Sequence, residues 1–81
     1  MQFLLTQKAL KDYQELSVKL QETFDKQLAF LLQDMQHPSL RAKKFDESKD
    51  VWQARMNRDY RMYFQIIKDT YVILSIIKHP K

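Results

Sequence analysis

The chain has 81 residues, 44% of them hydrophobic and 30% charged, which suits one small soluble domain with a single core and leaves no room for a second. Cysteine and glycine are both absent, which excludes disulfides, thiolate catalysis, cysteine-bound zinc and every glycine-rich phosphate loop. The net charge of +4 is unevenly placed, with four Lys/Arg against five Asp/Glu in residues 1–40 and ten against five in residues 41–81, so an acidic partner is expected to meet the second half.

Met1 to Leu5 reads as an opening strand, and Thr6 as the N-cap of a helix whose apolar positions are Ala9, Leu10, Tyr13 and Leu16. Ser17 caps a second helix with Leu20, Phe24, Leu28, Leu31 and Met35 on one stripe, widened by Phe30 and Leu32, which makes it the more deeply buried of the two. His37-Pro38-Ser39 ends it, because proline biases the residue before it away from helix. Leu40 to Phe45 reads as extended, and Asp46 to Asp50 as a polar loop.

From Val51 the pattern changes to period two. Trp52, Ala54 and Met56 point one way and Gln53 and Arg55 the other. After a turn at Asn57-Arg58-Asp59, Met62, Phe64 and Ile66 share a face, with Arg61, Tyr63 and Gln65 opposite. Lys68-Asp69-Thr70 makes a second hairpin, and the strand from Tyr71 to Lys78 is apolar on both sides, as a central strand would be. The expected fold is a compact α+β domain over residues 1–81. It has an N-terminal strand, a helical hairpin and a three-stranded antiparallel meander, with the helices packed on one face of the sheet. No apolar run nears the roughly 20 residues of a membrane span and no secretory leader opens the chain, so no membrane contact and a cytoplasmic location are expected.

Several stretches carry a resemblance to a known family. They are Gln7-Lys8-Ala9-Leu10-Lys11-Asp12, His37-Pro38-Ser39-Leu40 with Lys43-Lys44-Phe45, Val51-Trp52-Gln53-Ala54-Arg55, and above all Arg58-Asp59-Tyr60-Arg61-Met62-Tyr63-Phe64-Gln65-Ile66 with the Asp69-Thr70-Tyr71 hairpin. In this order the chain resembles the RelE/ParE superfamily of bacterial toxins from type II toxin–antitoxin modules. The resemblance implies one of two activities: RelE-like cleavage of mRNA, usually on the ribosome and without metal or cofactor, or ParE-like poisoning of DNA gyrase. A member that only binds its antitoxin is a third outcome. In each case a cognate antitoxin is the implied partner, in a hetero-oligomeric complex, and the location is bacterial cytoplasm.

The resemblance also marks residues. It makes Arg61 the principal site residue, Arg55 a second cation from the preceding strand, and His79 a polar group just after the last strand, with Lys81 beyond it. Gln53 stands where several nucleases of the family carry a lysine, and Pro80 where some carry a tyrosine.

The residues themselves allow this chemistry. Cleavage by the ribose 2′-OH needs a base, an acid for the departing 5′-oxygen, and cations where charge builds on phosphorus. Arg61 fits the last role, since a guanidinium stays protonated and its fork matches two phosphate oxygens. Arg55 is expected beside it across the hairpin, with Asp59 or Glu47 as its alternative partner. His79 is the natural acid or base near neutrality. Lys43, Lys44, Lys81 and Gln53 are expected along the RNA backbone, and Tyr63 against a base. Asp46 or Glu47 could supply a carboxylate base, as a glutamate does in some family members. His37, before a proline in a turn, reads as structural. The two histidines lie far apart in sequence, so no metal site is expected.

Overall fold

The computed structural model describes residues 1–79. The elements run β1 (Gln2–Leu5), α1 (Gln7–Glu15), α2 (Val18–Gln33), a short 3₁₀ turn (Pro38–Leu40), β2 (Lys43–Asp46), β3 (Val51–Arg55), β4 (Tyr60–Ile67) and β5 (Thr70–Lys78).

Both expected caps form. Thr6 Oγ1 accepts from Ala9 N–H at 3.2 Å and donates to the Leu74 carbonyl at 3.1 Å, so one hydroxyl starts α1 and pins it to β5. Ser17 Oγ accepts from Leu20 N–H at 3.2 Å. The stripe of α2 lies against the sheet, with Phe24, Leu28 and Leu31 buried, whereas α1 buries only Ala9. Opposite them sit Ala54, Met62, Phe64, Ile73 and Ile76, and Leu40 closes the core at the end of the 3₁₀ turn. Trp52, Ala54 and Met56 pack against the core as their alternation requires.

The sheet has five strands in the order β1-β5-β4-β3-β2. The meander therefore holds four antiparallel strands rather than the three expected. β2 lies in the stretch read as extended but was not read as a strand of the meander, because it is four residues long and its register slips between Lys44 and Asp46. β1 returns to pair parallel with β5, Phe3 opposite Tyr71, which places β5 between two neighbours as its double-sided apolar pattern suggested. Beyond the end of β1, the free edge of β5 is capped by α1, where Asp12 Oδ2 accepts from Ile76 N–H at 3.0 Å. A second irregularity, between Tyr63 and Phe64 where β4 meets β5, makes Leu74 an extra residue in the ladder.

With both helices on one face, the opposite face carries Lys43, Gln53, Arg55, Arg61, Tyr63, Ser75 and Ile77, by register and alternation. That open face holds the site.

Candidate phosphate-binding site

Arg55 and Arg61 are direct cross-strand partners in the β3–β4 hairpin. Side chains so paired approach within about 5.5 Å, and two guanidiniums there repel unless something offsets them. The turn supplies the offset. The Asn57 carbonyl accepts from Arg55 Nε at 3.3 Å and from Arg61 Nη1 at 2.8 Å, and Arg61 Nη1 also reaches the Tyr60 carbonyl at 2.9 Å. The Asn57 side chain fixes this carbonyl's orientation, because its Oδ1 accepts from the N–H groups of Asp59 and Tyr60, each at 2.9 Å. Neither Asp59 nor Glu47 pairs with Arg55. The ion pairs among the described residues belong to Lys8 and Lys44 only.

The two arginines open onto a cavity of about 180 Å³ lined by Arg41, Lys43, Gln53, Arg55 and Arg61. Four cations and an amide thus converge without a carboxylate in the lining. Lys43 enters because it stands opposite Gln53 in the β2–β3 ladder. Gln53 is 8% exposed, so its amide sits at the floor. Such a site suits a phosphate or a carboxylate ligand.

Beside it on the same face lies a larger, mainly apolar cavity of about 400 Å³, bordered by Phe45, Val51, Tyr63, Leu74, Ile77 and His79. Tyr63 is buried and meets the Phe45 ring edge-on at 4.8 Å, while Phe45 itself is 61% exposed. His79 is exposed, its backbone N–H donating to the Asp59 carbonyl at 2.6 Å, which continues the β4–β5 pairing past Lys78. His79 therefore shares the open face with Arg61 but borders the apolar cavity rather than the basic one.

Of the residues marked from the sequence, Arg55, Arg61, Lys43 and Gln53 come together in one cavity, and Tyr63, His79 and Asp46 in the next. Lys44 does not join them. It pairs with Trp52 in the ladder and so points to the helix side, where its Nζ lies 2.8 Å from Asp50, 3.9 Å from Glu47 and 4.9 Å above the Trp52 ring. The hydrogen bond to Asp50 holds its pKa above the ordinary lysine value. Successive strand residues face opposite ways, so Lys43 and Lys44 could not both reach one site. Lys81 lies outside the described residues.

Asp46 is already occupied. Its Oδ1 accepts from Ser48 Oγ at 2.7 Å, Ser48 N–H at 3.0 Å and Lys49 N–H at 3.3 Å, and the Ser48 bond foremost lowers its pKa, which makes it a weak base. Glu47 is exposed and nearest to Lys44. His37 stacks on Phe30 at 3.9 Å and accepts through Nδ1 from Ser39 N–H, a structural setting. No group of three His, Asp or Glu side chains able to hold a metal occurs among the described residues.

Three contributors went unmarked in the sequence. Arg41 enters the basic cavity from the 3₁₀ turn, two residues before Lys43, a period-two hint legible only once β2 is recognised. Asn57 was assigned to the turn but not to the arginines. Gln27 is buried on α2, where its Nε2 donates to the Arg55 carbonyl at 2.8 Å and the Ser39 carbonyl at 3.3 Å. A polar residue three positions after Phe24 and four before Leu31, on the apolar stripe itself, was the available signal for it.

The fold matches the YoeB/ParE toxin from Agrobacterium tumefaciens with a TM-score of 0.83 at 12% identity, covering 99% of this chain and 100% of that one. It matches the YoeB dimer from Staphylococcus aureus at 0.80 and 15% identity, covering 100% and 98%. It also matches the E. coli RelBE toxin–antitoxin complex at 0.75 and 18% identity, covering 99% and 98%. At these identities the likeness is one of fold. No curated protein matches in sequence. The family model described as "ParE toxin of type II toxin-antitoxin system, parDE" matches residues 3–81. The chain therefore belongs to the ParE toxin family of type II toxin–antitoxin systems, within the RelE/ParE superfamily.

Proposed function

We propose that this toxin cleaves mRNA at the ribosome by metal-free attack of a ribose 2′-OH, and that a cognate antitoxin silences it in a hetero-oligomeric complex in the bacterial cytoplasm. The observation that supports this reading best is the cavity where Arg41, Lys43, Arg55 and Arg61 converge with no carboxylate in the lining.

In that reaction the 2′-oxygen forms a bond to phosphorus and gives up its proton, while the 5′-oxygen leaves and takes one. Negative charge grows on the non-bridging oxygens, and Arg61, held by its hydrogen bond to the Asn57 carbonyl, is assigned to meet it. Arg55 and Lys43 neutralise the same phosphate, and Gln53 offers it an amide donor. His79, on the same face, is assigned one of the two proton transfers, as acid or base, with solvent taking the other, and Tyr63 and Phe45 lie beside it as a surface for a base. Solved relatives such as the S. aureus YoeB–YefM complex support an antitoxin as the partner.

A second reading, inhibition of DNA gyrase, is favoured by the family model itself, which is that of ParE. The two separate on induced expression in a bacterial host, following growth, primer extension on a translated reporter, and plasmid supercoiling. Growth arrest with new 5′ ends in the reporter, lost in Arg61→Ala at matched protein level, is the expected result. Arrest with intact mRNA and altered supercoiling would transfer the assignment to gyrase.

A further inference from the structure

Arg41 is the one lining residue of the basic cavity that comes from neither a strand nor a hairpin. It follows the Pro38–Leu40 turn with φ 45° and ψ 44°, a left-handed backbone that favours glycine. The turn is held firmly. Leu40 is fully buried, and Gln27 bridges the Ser39 carbonyl to that of Arg55, tying the segment before Arg41 to the end of β3. Arg41 therefore reaches the cavity from a fixed point on its β2 side, facing Arg55 and Arg61 on the β3–β4 side. It also borders the neighbouring depression of Met35, Pro38 and Trp52, so it stands at the rim.

The left-handed backbone alone singles out nothing, since Asp50 and Lys68 share it. Those two sit in turns between antiparallel strands, and neither lines this cavity. What distinguishes Arg41 is convergence. It makes no ion pair among the described residues, and it adds a fourth charge to the three that already meet there, which raises the attraction of the cavity for an anion. A guanidinium at the rim can hold two phosphate oxygens without having to enter the floor occupied by Gln53.

We infer that Arg41 is a phosphate-contacting residue of this site, gripping the backbone of bound RNA from the β2 side. The inference rests on the RNA reading above, and its test keeps the two apart. The probe is a mixed-sequence 2′-O-methyl oligoribonucleotide, which cannot be cut, followed by fluorescence anisotropy over a salt series. The proteins are wild type, Arg41→Gly, Arg41→Lys and Arg61→Ala, each with its melting temperature. Glycine takes the left-handed backbone without steric cost, so Arg41→Gly should melt no lower than wild type. It should nevertheless bind about tenfold more weakly at low salt, with a salt slope shallower by about one. Arg41→Lys should keep most of the affinity. Wild-type binding by Arg41→Gly alongside weakened Arg61→Ala would overturn the role of Arg41 and leave the RNA reading standing. Failure of the wild type to bind would overturn the inference, and the RNA reading would then be decided by the primer-extension experiment above. A loss of binding that comes with a lower melting temperature and is not restored by lysine would make Arg41 structural and overturn the inference.

Discussion

At the β3–β4 turn, Asn57 uses its carbonyl to hold two guanidiniums and its side-chain oxygen to hold the turn that aims that carbonyl. Arginine orientation thus depends on a residue that contributes no charge. Asn57→Ala removes two bonds to backbone N–H groups and is expected to cost about 1 kcal/mol of stability, whereas Asn57→Asp keeps the Oδ1 acceptor of both bonds and should retain the stability. Urea denaturation of the two variants checks this, and equal losses in both would contradict it. Asp46 offers a pH test on the neighbouring turn. Its folded pKa is depressed, chiefly by the Ser48 hydroxyl, so its contribution is present above the unfolded carboxylate value near pH ~4 and is lost as pH falls through the lowered folded value. Asp46→Asn should therefore melt below wild type at pH 6 and approach it at pH 3; a gap that persists at acid pH would assign the difference to another cause. Asp46 also shows the limit of single residues read in sequence. The family resemblance offered it as a possible base, and only the three donors around it show that it is already engaged.

Among the elements, α2 does most to position the site from behind. Phe24, Leu28 and Leu31 press on the sheet, while Gln27 reaches through to the carbonyls of Ser39 and Arg55. Gln27→Leu keeps volume and adds apolar surface, yet removes the donor from two part-buried carbonyls. A loss of about 2 kcal/mol is expected, read by thermal or urea unfolding, and a neutral outcome would mean that water reaches both groups. The helices and the two long strands were legible in the sequence because their periods of 3.6 and two run over enough residues to be distinct. β2 was legible only as an extended stretch and not as a strand of the sheet, because four residues with a register slip give too little alternation. That omission carried a consequence: without β2 as a strand, Lys43 and Lys44 looked equivalent, and the opposite faces they take could not be assigned. The pairing of β1 with β5 was equally hidden, since a parallel partner distant in sequence leaves no local mark.

For the molecule as a whole, helices on one face leave the other free, and on that free face a basic cavity adjoins an apolar one. The charge asymmetry between the two halves of the chain anticipated this division, because β2 to β5 all derive from the basic half. The facing pair Arg55 and Arg61 followed from alternation and the hairpin. What the sequence could not supply was the distribution of the groups between the cavities: His79 and Tyr63 fall on the apolar side, Arg41 and Gln53 on the basic side. An RNA substrate suits the combination, with phosphate on the arginines and a base near Phe45 and Tyr63. The most direct measurement is a purified translation reaction with a defined mRNA, mapping and chemically identifying the ends formed by wild type and Arg61→Ala. The account predicts cleavage within the translated region leaving 2′,3′-cyclic phosphate ends, with the rate falling a hundredfold or more (on the order of 3 kcal/mol) in the variant. Intact mRNA with the wild-type protein, or cleavage at an undiminished rate with Arg61→Ala, would contradict it.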